Sequence, residues 1–219
     1  VARRAAPHSK ILAVIKANGY GHGLVRVARA LRAADGFAVL SIEEAALLRG
    51  EGYTHPIVLL EGFFHPDELP EIARLRLRPV IHRQDQAEIL ARARLEHKVD
   101  VFLKVDTGMR RLGLAPKRLP DALAALRASP HVGGITLMTH FARADEAGIG
   151  IDEPLACFRE ATQGMELPVS VANSATVLRH PAAHGDWVRP GIMLYGASPF
   201  ADQSGADLGL LPARSEEHT

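Results

Sequence analysis

A single cysteine, Cys157, stands in a chain of 219 residues, which excludes an internal disulfide framework and suits a reducing compartment. It falls in a helical pattern and reads as a packing residue rather than a nucleophile. Aromatic residues make up only 5% and the net charge is +1. With no block of lysine and arginine interleaved with aromatics, nucleic acid is excluded as the main partner. No run approaches the roughly twenty apolar residues that span a bilayer, and no charged-then-apolar signal segment opens the chain. No membrane association is expected, and the chain reads as cytoplasmic. The eleven histidines are dispersed and no carboxylate pair clusters with them, so no metal site is expected. Neither a fixed repeat nor a low-complexity linker is present.

What remains is an ordinary globular composition, 47% hydrophobic and 23% charged, sufficient for one sizeable core. Apolar strand-like runs alternate with helix-period segments. Strands are expected at Lys10 to Lys16, Phe37 to Ser41, Ile57 to Leu60, Pro79 to His82, Val99 to Val105, Gly134 to His140, Val169 to Asn173 and Asp186 to Arg189. Between them, Leu24, Val27, Ala28 and Leu31, and again Leu119, Ala122, Leu123 and Leu126, follow a helical stripe. Asp67, Asp85, Pro116 and Asp152 lie near helix starts. Eight strand-helix repeats point to an α/β fold of the (β/α)₈ TIM-barrel type rather than an open doubly wound sheet. Such barrels place active-site residues at the C-terminal ends of strands, and phosphate commonly sits after strands seven and eight. Lys16, Lys104, Asp106, His140, Asn173, Ser174 and Arg189 all fall at such ends.

The run Ile11-Leu12-Ala13-Val14-Ile15 shows no polar alternation, as befits a parallel strand buried on both faces. Lys16 closes it and opens Lys16-Ala17-Asn18-Gly19-Tyr20-Gly21-His22-Gly23, with His22 expected to open the next helical pattern. Burial disfavours an ammonium, and a neutral amine is both nucleophile and base. Three glycines and the Tyr20 hydroxyl complete the layout of a Schiff-base lysine beside anion-binding groups. The plain alternative is a lysine snorkelling from a strand end into a surface loop.

The whole octapeptide resembles the cofactor-lysine signature of the alanine racemases. The resemblance implies that Lys16 holds pyridoxal 5'-phosphate as a Schiff base and acts as one of two bases, while Tyr20 binds the cofactor phosphate. Leu103-Lys104-Val105-Asp106-Thr107-Gly108-Met109-Arg110-Arg111-Leu112-Gly113 resembles the family's second signature. Arg111, with Met109, is thereby assigned to substrate, since a guanidinium fork matches a carboxylate. Lys104 is a supporting residue, and in some members the corresponding lysine is carbamylated. His140, in Met138-Thr139-His140-Phe141, would touch the pyridoxal ring; a lone histidine on a strand is otherwise commonly a satisfied core residue. Asn173, Ser174, Gly191 and Ile192 form the expected phosphate end, ahead of a short helix from Gly191 to Tyr195. Arg189 is placed against the pyridine nitrogen, where a group that does not give up its proton restrains the electron sink.

The implied activity is interconversion of L- and D-alanine, supplying D-alanine for cell-wall peptidoglycan, in a homodimer with shared active sites. The family's second base is a tyrosine on a C-terminal β-domain, and neither Tyr195 nor Tyr53 matches it. The chain therefore reads as the barrel domain, residues 1–200, with the β-domain absent. Residues 201–219 read as a tail. Within it, Arg214-Ser215-Glu216-Glu217-His218-Thr219 matches the translation of a common sequencing adapter, with an ordinary polar tail as the alternative. A second functional reading stays open, a single-barrel pyridoxal-phosphate carrier without racemase activity. Amino-acid decarboxylases with a related barrel form a third.

Overall fold

The computed structural model describes residues 1–214. All eight expected strands form: β1 (Lys10–Val14), β2 (Gly36–Val39), β3 (Ile57–Leu59), β4 (Leu77–Ile81), β5 (Val99–Lys104), β6 (Val132–Met138), β7 (Val169–Ser170) and β8 (Trp187–Val188). They are parallel, in the order β7-β6-β5-β4-β3-β2-β1-β8. The two edges meet through a parallel bridge between Asn173 and Arg189, where the Arg189 amide donates to the Ala172 carbonyl at 2.8 Å. The result is a nearly closed barrel. Helices α1 (Leu24–Ala30), α2 (Ile42–Gly50), α3 (Leu69–Arg74), α4 (Gln84–Arg92), α5 (Leu119–Ala128), α6 (Asp152–Ala161) and α7 (Ser174–Arg179) follow the first seven strands in turn. A 3₁₀ turn, Ile192–Tyr195, follows the eighth.

The unbroken apolar runs are explained by burial on both faces. Leu12, Val14, Ala38, Val58, Val80, Phe102, Met138 and Trp187 fill the barrel interior. Their neighbours Ala13, Phe37, Val39, Ile57, Leu59, Ile81, Val101 and Leu103 point outward and pack on Val27, Ala28, Leu48, Ile72, Leu90 and Leu123 of the helices. Both helical stripes are seated as expected, except that Leu31 lies one residue beyond α1.

Several boundaries differ from the sequence reading. Pairing in β1 stops at Val14, so Lys16 lies beyond the strand rather than closing it. The helix expected from His22 begins at Leu24, with Gly23 as its N-cap. β4 starts two residues early because Arg78, which breaks the apolar run, pairs with Asp100 at 3.0 Å. Between β5 and β6 the register shifts at Asp100, whose carboxylate accepts from the Gly134 amide at 2.8 Å. A Cβ on Gly133 would come within 2.4 Å of that carboxylate.

Residues 201–214 run back over the barrel. Leu208 and Leu210 join Ala2, Ala6, Ile11, Val188 and Met193 in a second apolar cluster, and the Ala213 amide donates to the Tyr195 carbonyl at 3.1 Å. The expectation about the terminal segment Arg214 to Thr219 falls, apart from Arg214, outside the described residues. Among the described residues no helix is long and apolar enough to cross a membrane, and no three metal-ligating side chains gather.

Candidate active site at the barrel mouth

Side chains alternate along a strand, so the position two residues past each interior residue faces the mouth of the barrel. Those positions are Lys16, Leu40, Leu60, His82, Lys104, His140 and Arg189, and all of them line one cleft of about 670 Å³. Tyr20, Arg111, Asn173, Ser174, Gly191 and Ile192 line it too. Met109 does not. Positive φ angles at Gly108 (126°) and Arg110 (55°) turn that loop so that Arg111 and Leu112 form the wall instead. The sequence reading missed Leu40, Leu60 and His82, which the period-two phase could have found, and Phe64 and Ser198, which come from loops without a signal.

The octapeptide takes an uncommon form. Ala17, Asn18, Gly19 and Tyr20 have φ of 54°, 54°, 61° and 50°, a full left-handed turn in which three residues carry a Cβ. Each such residue costs about 1–2 kcal/mol, and the surroundings must hold it. The Asn18 side-chain oxygen accepts from the Leu24 amide at 2.8 Å, and its carbonyl accepts from the Gly23 amide at 2.9 Å. Gly19 is required at its place because a Cβ would lie 2.7 Å from Val27. Lys16 and Tyr20, four residues apart, thereby share one face and reach the same cleft.

Opposite them, the Gly191 amide donates to Ser174 Oγ at 2.9 Å. A Cβ on Gly191 would stand 2.8 Å from the Tyr20 hydroxyl. Two hydroxyls and a backbone amide thus converge on a space that only glycine leaves open, a cradle that fits a phosphate dianion. The Tyr20 ring stacks on Tyr195 at 4.7 Å, and the Tyr195 hydroxyl donates to the Val14 carbonyl at 3.2 Å. Burial pushes both phenols up, so Tyr20 stays a donor. Asn173 lies at the edge of this end, but its side-chain oxygen caps α7 through the Thr176 amide at 3.1 Å, and its NH₂ donates to the Phe141 carbonyl.

The floor is electropositive. Lys16, Arg83, Lys104, Arg111 and Arg189 line the cleft with two carboxylates, Glu61 and Asp145. Arg189 is buried, and its guanidinium donates to the Ser170 carbonyl at 2.6 Å, Ser170 Oγ at 2.7 Å and the Thr139 carbonyl at 2.7 Å. Burial lowers its pKa to about 10, which leaves it charged near neutral pH. Lys104 is lowered to about 8 by burial and by the charges of Arg189 and Arg111. Burial and the same cations, with Lys16, bring His140 down to about 3, so its imidazole is neutral. His82 is also held below its ordinary value by burial, and its Nε2 meets the Glu61 carbonyl at 3.0 Å. Such a floor suits an anionic ligand.

A second cleft, about 660 Å³, opens at the opposite end of the barrel among Arg49, Tyr53, His55, Arg76, Arg78 and Lys98. None of the expected site residues reaches it. Arg49 there is occupied by the carbonyls of Leu75, Tyr53 and His55, a structural task at the stability end of the barrel.

Residues 1–199 match the family model described as "Alanine racemase, N-terminal domain". The chain is 52% identical to alanine racemase of Nitrosospira multiformis over 215 residues, covering 97% of this chain and 60% of the relative. It is 51% identical to the catabolic alanine racemase of Klebsiella aerogenes, with the same coverage of both chains. The crystal structure of biosynthetic alanine racemase from Pseudomonas aeruginosa superposes with a TM-score of 0.92 at 46% identity, over 96% of this chain and 60% of that one. The chain thus spans about 60% of the length of the curated relatives it matches. Its eight-stranded barrel and its match to the family model over residues 1–199 place it in the alanine racemase family.

Proposed function

We propose that the cleft binds pyridoxal 5'-phosphate on Lys16 and supports proton transfer at the Cα of alanine. The observation that carries this reading is the left-handed turn, which brings Lys16 and Tyr20 to one cavity opposite the Ser174–Gly191 cradle. When bound, the cofactor supplies an electron-withdrawing ring that acidifies the substrate's Cα–H.

The chain's own residues divide the remaining work. Tyr20, Ser174 and the Ile192 amide hold the phosphate, and the Gly191 amide, which donates to Ser174 Oγ, orients that hydroxyl. Arg189, fixed by acceptors on Thr139, Ser170 and Val171 and, among the described residues, without a carboxylate partner, donates toward the ring without releasing its proton. Arg111, exposed on its loop, takes the substrate carboxylate. Neutral His140 packs beside the ring. Lys16 removes or returns the Cα proton on one face. Burial of Lys104 increases its share of neutral amine, the form that adds carbon dioxide, and a carbamate there would present an anion to Arg111.

Inversion needs a second proton carrier on the opposite face. Tyr195 is stacked on Tyr20 and bonded to Val14, and Tyr53 lines the cleft at the other end of the barrel. As the resemblance to the family implies, the second carrier is a tyrosine on a C-terminal β-domain contributed by the partner subunit of a homodimer. Relatives bear both catabolic and biosynthetic names, and either role uses the same interconversion; supply of D-alanine to peptidoglycan in the cytoplasm is the role proposed here. Incubation with pyridoxal 5'-phosphate, reduction with borohydride and peptide mapping test the anchor. Label on Lys16 is expected; label on another lysine overturns the assignment.

A further inference from the structure

Ser41-Ile42-Glu43-Glu44 has the spacing of a capping box, in which a glutamate three residues into a helix reaches back to the amide of its own N-cap residue. Half of the box forms. Ser41 is the N-cap of α2, and its Oγ accepts from the Glu44 amide at 3.3 Å. The other half is diverted. Glu44 Oε2 accepts from the Leu40 amide at 3.0 Å, and Oε1 accepts from the Asn18 amide at 2.9 Å. One half-buried carboxylate therefore fastens the end of β2 to the left-handed turn after β1.

The turn needs such a fastening on its N-terminal side. Its later half is held by Asn18, through the amides of Leu24 and Gly23. The first amides of any helical turn lack an acceptor within the turn, and the Asn18 amide finds its acceptor in Glu44. Without that acceptor, Ala17 and Asn18 have the ordinary preference of L-residues for right-handed or extended backbone. Lys16 and Tyr20 would then no longer share a face.

We propose that Glu44 is a positioning residue for Lys16: its carboxylate holds residues 17–20 in the left-handed conformation that turns Lys16 and Tyr20 toward one ligand. The proposal rests on the reading of Lys16 as the cofactor anchor, so its test includes an arm without cofactor. Glu44→Ala, Glu44→Gln and the double variant Glu44→Ala with Ala17→Gly are made in the 219-residue chain. Amide hydrogen exchange is followed without ligand. Pyridoxal 5'-phosphate is then titrated, read by visible absorbance and by borohydride labelling of Lys16.

In Glu44→Ala the amides of Asn18 and Leu40 should exchange faster by on the order of tenfold or more while the barrel strands keep their protection. Cofactor affinity should fall on the order of tenfold. Glu44→Gln offers one acceptor oxygen and turns an NH₂ toward the second amide, so it should fall between. Ala17→Gly should return most of the lost affinity, because glycine takes a positive φ without steric cost. A merely structural glutamate would not be rescued in this way. Unchanged Asn18 exchange in Glu44→Ala overturns the proposal, as does a loss of affinity that Ala17→Gly fails to recover. If the unsubstituted chain labels elsewhere than Lys16, the cofactor reading falls, and Asn18 exchange still decides whether Glu44 holds the turn.

Discussion

The Gly191 amide and Ser174 Oγ are joined at 2.9 Å, and a Cβ added to Gly191 would meet the Tyr20 hydroxyl at 2.8 Å. These groups come from the segments that follow β1, β7 and β8, so the cradle exists only when the barrel is closed. Gly191→Ala should displace the Tyr20 hydroxyl and weaken pyridoxal 5'-phosphate binding by on the order of tenfold. Ser174→Ala should cost about 1–3 kcal/mol of binding, toward the lower figure because it also frees the Gly191 amide for the phosphate. Titration by absorbance checks both, with circular dichroism to show that the barrel is retained. Equal affinity in both variants would relocate the phosphate.

Arg189 ties Thr139 and Ser170 to β8 through charged hydrogen bonds. Arg189→Lys preserves charge but not the planar fork, and a single ammonium does not reach both carbonyls in the same geometry. The variant should lose roughly 2 kcal/mol of unfolding free energy, measured by urea denaturation. Stability equal to the parent would mean that the fork carries little of the β6–β7–β8 closure.

Much of this site was legible in the sequence because its residues are chemically out of place. Lys16, Lys104, His140 and Arg189 each follow an apolar run buried on both faces, and a cation or imidazole there stands out. Leu40 and Leu60 do not stand out; they become visible only once Ala38 and Val58 are known to point into the barrel. His82 belongs with them, although its imidazole could have raised suspicion. The left-handed turn was hidden for a different reason. Ala17, Asn18 and Tyr20 have no local preference for positive φ strong enough to announce four such residues in a row, and what holds them includes Glu44 from another element. Loop direction likewise decided that Arg111, and not Met109, faces the cleft.

Lys104 should leave a signature in the pH dependence of stability. Its folded pKa of about 8 lies below the ordinary 10.5, so between those values the unfolded chain holds a proton that the folded chain has lost. Stability from this group therefore rises with pH across that window, and below pH 8 the buried ammonium is a full penalty of at most about 3 kcal/mol. Lys104→Met should remove the slope. Urea denaturation of both proteins from pH 7 to about 10, compared as a difference to cancel other titrating groups, gives the measurement. A difference that does not change with pH would show that Lys104 keeps its ordinary pKa in the folded chain, with its ammonium solvated or paired.

The sharpest test of the proposed chemistry separates exchange from inversion. The chain loaded with pyridoxal 5'-phosphate is incubated with D-alanine in deuterated water. Loss of the Cα proton and appearance of L-alanine are followed together. Lys16 can take a proton and return a deuteron on the same face, which exchanges without inverting. Inversion requires delivery from the other side, and among the described residues the nearby tyrosine, Tyr195, is engaged with Val14 and Tyr20. A positioned acid or base contributes about 10² to 10⁴-fold, so exchange should outrun inversion by a factor in that range. Lys16→Ala should abolish both. Equal rates of exchange and inversion would place a second proton carrier within these 219 residues, in the same subunit or a second copy, and would overturn its assignment to a C-terminal β-domain.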